Sequence, residues 1–126
     1  MEKVRVIIKR PDEEFGHVTN ISPSLGNLQR NVGGYVEAVK LFDDAWILCD
    51  EEGRLKGKEY NCTIAGVDFV GDIILIGVKG EEFADLVLSF ADWKEYVLGK
   101  PEPDCFMEIV YAAGAPEDFE PDEEDR

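Results

Sequence analysis

The chain has 126 residues, enough for one domain and too few for two independent cores. With 44% hydrophobic and 10% aromatic residues it can bury a real core, which excludes a wholly disordered acidic polypeptide. The net charge of -15 repels phosphate, so nucleic acid and anionic membrane surfaces are disfavoured partners, and basic protein surfaces or cations are favoured.

Residues 3–9 (KVRVIIK) are rich in β-branched side chains, alternate at Val4, Val6 and Ile8, and read as a strand ended by Pro11. Residues 11–16 (PDEEFG) form a turn, and residues 17–21 (HVTNI) a short partner strand. A helix follows: Ser22 is placed to cap it, Pro23 suits its first position, and Leu25, Leu28 and Val32 recur at spacings of three and four. Gly33 and Gly34 then end that helix.

Residues 35–42 and 45–49 are strand-like and joined at Asp43-Asp44 as a hairpin. A polar, glycine-punctuated connection spans 50–61, and residues 62–69 offer one more short strand. Residues 73–78 are the most apolar run and predict the central strand. Residues 81–86 (EEFADL) read as a short helical turn. Ser89 then caps a helix over 90–98, with Phe90, Trp93 and Val97 on one face and Gly99 as its stop. A last strand is expected over 105–112, and from 114 to 126 seven acids, one base and two prolines predict an acidic disordered tail. The expected fold is α+β: a single compact domain over 1–113 with a mostly antiparallel or mixed sheet of five or six strands and two short helices.

Cys49, Cys62 and Cys105 are odd in number and lack a C-x-x-C pair, and His17 stands alone, so neither a disulfide framework nor a zinc site is indicated. Cys49, inside an apolar run, reads as a buried thiol. The default compartment is reducing and cytoplasmic, with no signal-peptide h-region and no apolar run of membrane-spanning length. Nucleophilic catalysis needs a base beside the nucleophile, and no such set or nucleotide motif occurs, so no catalytic residue, metal or cofactor is assigned. Gly33 and Gly34 follow a helix, whereas a phosphate cradle wants glycines before one, so these two form a structural turn. The tail carries a net -6, leaving -9 on the body; the acidity is a property of both.

Leu28-Gln29, Val32-Gly33-Gly34-Tyr35-Val36-Glu37, Asp50 through Gly57, Asn61 and Val70 through Gly77 occur in this order. Over roughly residues 3–86 they make the chain similar to a family of small proteins of bacteriophages and mobile elements, known as a domain of unknown function and carrying an LQ-x-x-VGG-x-x-E motif. The resemblance implies a phage or plasmid setting and a compact α+β domain, and it brings no activity or established site. Genes of that setting often act against host defence or host regulation.

Two functions follow as expectations. One is a non-catalytic accessory protein that binds a basic partner protein through an acidic surface. The other is a protein that binds or sequesters a small ligand such as a signalling nucleotide, using Arg30, Arg54, Lys56 and Lys58. The candidate binding surface is the end of the first helix with the 50–61 connection: Gln29, Arg30, Tyr35, Glu37, Asp50, Arg54, Lys56 and Asn61. The competing structural reading has Gln29 and Asn61 bonded to loop backbone and Glu37 on a solvated strand face.

Overall fold

In a computed structural model of the chain, residues 2–99 and the backbone of residues 108–111 are described. The elements in chain order are β1 (Val4–Lys9), β2 (His17–Ile21), α1 (Leu25–Val32), β3 (Val36–Phe42), β4 (Ala45–Asp50), β5 (Tyr60–Ile64), β6 (Val67–Val70), β7 (Ile73–Lys79), β8 (Glu82–Ala84), α2 (Phe90–Val97) and β9 (Glu108–Tyr111). The main sheet runs β2-β1-β7-β4-β3-β9, with β8 added on β7, and every neighbouring pair is antiparallel. β5 and β6 form a separate two-stranded hairpin. This is the expected single α+β domain, with two short helices and the apolar run 73–78 at the centre of the sheet.

β7 explains why the sheet has two cores. Ile73 and Leu75 join one cluster and Ile74 and Ile76 the other, so a run without polar alternation is buried on both faces. α1 covers the second face with Leu25, Leu28 and Val32, the apolar stripe legible in its spacing. The β5–β6 hairpin and α2 cover the first face with Cys62, Ile64, Phe69 and Trp93. Each fully buried large side chain contributes roughly 1.5–3 kcal/mol through removal from water. Trp93 also satisfies its ring nitrogen, Nε1 donating to the Phe15 carbonyl at 2.9 Å.

Three local expectations change. The cap of α1 is Ser24 rather than Ser22: its hydroxyl accepts from the Asn27 amide, and the Asn27 side chain reaches back to the Ser22 carbonyl. Pro23 therefore precedes the cap and does not open the helix. Residues 62–69 hold two strands rather than one, because Ala65 and Gly66 both take positive φ (50° and 84°) and make the tight turn that joins β5 to β6. Tyr60 and Asn61 belong to that hairpin and not to the preceding connection.

Residues 82–84 are a strand instead of a helical turn. β1 pairs with β7 as far as Ile76, and β8 takes over the same edge from Gly77 to Lys79. Phe83 is fixed there by a T-shaped contact with Trp46 at 6.1 Å. α2 begins as expected at its Ser89 cap, with Trp93 fully buried and Phe90 and Val97 beside it. The backbone of β9 falls within the expected last strand; the rest of 105–112 and the acidic tail lie outside the described residues.

Candidate functional site

Four of the eight candidate residues, Glu37, Asp50, Arg54 and Lys56, gather at two places on opposite sides of the β3–β4 ribbon, whose register pairs Val36 with Asp50 and Glu37 with Cys49. The first place is the junction between α1 and β3. Asp50 ends β4 with its side chain 1% exposed, and its Oδ2 accepts from Lys56 Nζ at 2.8 Å and Lys58 Nζ at 2.7 Å. Its Oδ1 accepts from the Glu52 amide at 2.9 Å. Burial by itself drives this carboxyl toward the neutral form; the two ammonium groups and the amide outweigh it and hold the pKa below the ordinary aspartate value. The same contact with Asp50 raises the pKa of Lys56.

Both lysines also close the end of α1. Lys58 Nζ donates to the Val32 carbonyl at 2.8 Å and to the Gly33 carbonyl at 3.2 Å, and Lys56 Nζ reaches the Gly33 carbonyl at 3.2 Å. Cations at the carbonyl end of a helix complement its dipole and its unpaired acceptors.

The two glycines that stop α1 do different things. Gly33 takes φ 79°, and its amide returns to the Gln29 carbonyl, a left-handed C-terminal cap. Gly34 makes room: a Cβ there would lie 2.6 Å from Asp50 Oδ2 and 2.5 Å from its Cγ. The VGG run thus ends the helix and lets the buried carboxylate sit against the backbone.

The second place is a cavity of about 750 Å³ lined, among the described residues, by Glu37, Val39, Cys49, Asp50, Glu51 and Arg54, with Leu55 and residues Val67 through Val70 opposite. Its size lies within the range of small-ligand pockets, roughly 300–1,000 Å³. Glu37 is half-buried on β3, and among the described residues its carboxylate makes no hydrogen bond or ion pair. Burial, and then the charge of Glu51, raise its pKa, with Arg54 opposing them. Arg54 donates instead to the Asp68 carbonyl across the cavity. Cys49 is a buried thiol, as its apolar run predicts; burial and the Glu37 and Asp50 charges push its pKa up to about 12, so it is no thiolate nucleophile at neutral pH.

The remaining candidates lie apart from both. Asn61 is buried under β1: it accepts from Lys9 Nζ at 2.7 Å and donates to the Lys9 and Gly71 carbonyls at 2.9 and 2.7 Å. Its geometry is that of a structural bridge to loop and strand backbone. Gln29, Arg30 and Tyr35 line a separate shallow recess of about 370 Å³ with Gly26 and Gly34. The four cations of the nucleotide expectation are therefore dispersed: Arg30 borders one recess, Arg54 another, and Lys56 and Lys58 are spent on Asp50 and α1.

Lys9 and the 67–70 wall were not among the sequence candidates, and Lys58 was one only for the nucleotide reading. A lysine pair flanking Gly57, just after an acidic turn, is the signal that points to Lys58; nothing local points to Lys9 or to the wall.

No curated protein and no solved structure matches the chain. A family model does, over residues 4–97, which reaches beyond the resembling segments to the last residue of α2. With the fold and both places covered by that match, the chain belongs to the family described as Domain of unknown function (DUF3846).

Proposed function

We propose that this protein is a non-catalytic accessory protein of phage or mobile-element type that binds a basic partner protein through its acidic surface, acting against host defence or host regulation. The observation that carries the binding reading is where the fold spends its cations. Arg5 donates to the Leu86 and Leu88 carbonyls, Lys9 to Asn61, Arg54 to the Asp68 carbonyl, and Lys56 and Lys58 to Asp50 and the end of α1. Of the eighteen carboxylates with described side chains, fourteen are exposed. These cations, Arg54 and Lys56 among them although exposed, are bonded within the fold, while most carboxylates face solvent. The surface therefore carries an excess of negative charge, and such a field steers and holds a basic partner. The host-directed part of the reading rests on the phage-type resemblance. The nucleotide reading is the weaker of the two, because the cations it needs are dispersed or already paired.

The test is affinity capture with the full chain at low and high salt, followed by mass spectrometry. Basic proteins retained at low salt and released at high salt are expected. A variant with Glu51, Glu52 and Asp68 changed to lysine should lose them. Absence of any basic protein at low salt overturns the reading.

A further inference from the structure

We propose that the cavity between β3–β4 and β6 is the anchor pocket of this surface and receives an arginine side chain from the basic partner; this rests on the basic-partner reading above. Three observations converge on that occupant. The first is charge. Asp50 is already neutralised by two lysines, which leaves Glu37, Glu51 and Asp68 against Arg54 in the lining, and Arg54 is committed to the Asp68 carbonyl. An anionic ligand meets three carboxylates; a cation meets one half-buried carboxylate with no partner among the described residues.

The second is the wall. Val39, Val67, Phe69 and Val70 supply apolar surface for a long aliphatic stem, and Glu37 the acceptor for its charged head. A guanidinium loses less on leaving water than an ammonium and meets a carboxylate with two parallel N–H groups, so arginine suits this site better than lysine. The volume of about 750 Å³ leaves room for flanking side chains of the same segment.

The third is the lip. Leu55, in the turn after β4, is 88% exposed beside the cavity, and Glu51, Glu52 and Asp68 near it are exposed as well. An exposed leucine beside a partly apolar cavity and ringed by charge is the make-up of an interface centre with a polar rim.

The experiment uses the isotope-labelled full chain and three ligands of one shape: benzamidinium as the guanidinium-like cation, neutral benzamide and anionic benzoate. Amide resonances are followed by NMR. Benzamidinium is expected to shift Glu37, Cys49, Leu55 and residues 67–70, and to bind about tenfold more tightly than benzamide. Benzoate should bind most weakly. Glu37→Gln, which removes a desolvated charge and so keeps the fold, should erase the advantage of benzamidinium over benzamide.

Equal or tighter binding of benzoate overturns the inference, as does a benzamidinium response confined to residues outside the cavity, or none. Shifts of the same resonances with protein concentration alone would assign the cavity to a second copy and overturn it too. The two readings fail separately. If basic proteins are captured equally by the wild type and by Glu37→Gln and Leu55→Ala, the pocket falls and the acidic-surface reading stands. If benzamidinium seats as expected and no basic protein is captured, the cavity keeps its preference for a cation, and the acidic-surface reading falls and takes the partner's arginine with it.

Discussion

Asp50 and Glu37 are carboxylates on neighbouring strands, one register step apart, and their pKa values move in opposite directions. Burial acts against the charge of both. Asp50 collects two ammonium groups and an amide within 2.9 Å, and the charged form wins. Glu37 faces the cavity with Glu51 nearby and only the distant field of Arg54 in its favour, and the neutral form gains. A satisfied carboxylate makes a joint; an unsatisfied one leaves a site. The difference separates the carboxylate that holds the fold together from the one that faces the proposed pocket.

The largest expected effect breaks the closed side. Asp50→Ala leaves two lysines converging on an empty position and should cost about 3 kcal/mol in urea denaturation, since losing one member of a buried pair strands the other. A cost under about 1 kcal/mol would mean that the junction does not depend on the charge pair. Next comes Gly34→Ala, expected to cost about 2 kcal/mol by overpacking against the Asp50 carboxylate. Gly33→Ala should cost about 1 kcal/mol through its left-handed backbone. A double-mutant cycle tells the glycines apart: in an Asp50→Ala background the Gly34→Ala cost should largely vanish, and the Gly33→Ala cost should persist.

The two lysines are unequal. The Lys58 side chain is 23% exposed and that of Lys56 41%, and Lys58 makes the shorter contact with the α1 carbonyls. Lys58→Met should therefore destabilise by roughly 1–2 kcal/mol, and Lys56→Met by less, measured by the same denaturation. An inverted ranking would shift the lock toward the outer lysine.

The smallest effect sharpens the open side and carries the opposite sign in pH. The folded-state pKa of Asp50 lies below its ordinary 3.8, so its stabilisation is present above that value and is lost as pH falls through the folded pKa. Asp50→Asn should flatten that acid limb. The folded-state pKa of Glu37 lies above its ordinary 4.5, so stability declines as pH rises from there through the raised value. Glu37→Gln should remove that decline and stabilise the protein by roughly 0.5 kcal/mol at neutral pH. A destabilised Glu37→Gln variant would show that Glu37 belongs to the joint after all.

Much of this was written in local pattern. The 3.6-residue spacing of Leu25, Leu28 and Val32, the unbroken apolar run of β7 and the Ser89 cap each encode their element within a few residues, because helix and strand periods act at short range. Gly33 as a helix stop is likewise local. Tertiary structure decided the rest. Residues 82–84 became a strand because β1 leaves the edge of β7 open at Gly77, and residues 62–69 became a hairpin that turns at Ala65 and Gly66 while Cys62, Ile64 and Phe69 pack into the core under the sheet.

The candidate surface shows the same division. Its residue types were legible, but not which of them would touch. Asn61 went to Lys9, 52 positions away in sequence, and Lys58 to α1, while Glu37 kept its carboxylate for the cavity. Charge pairing depends on distance in space, and only the closed sheet sets those distances.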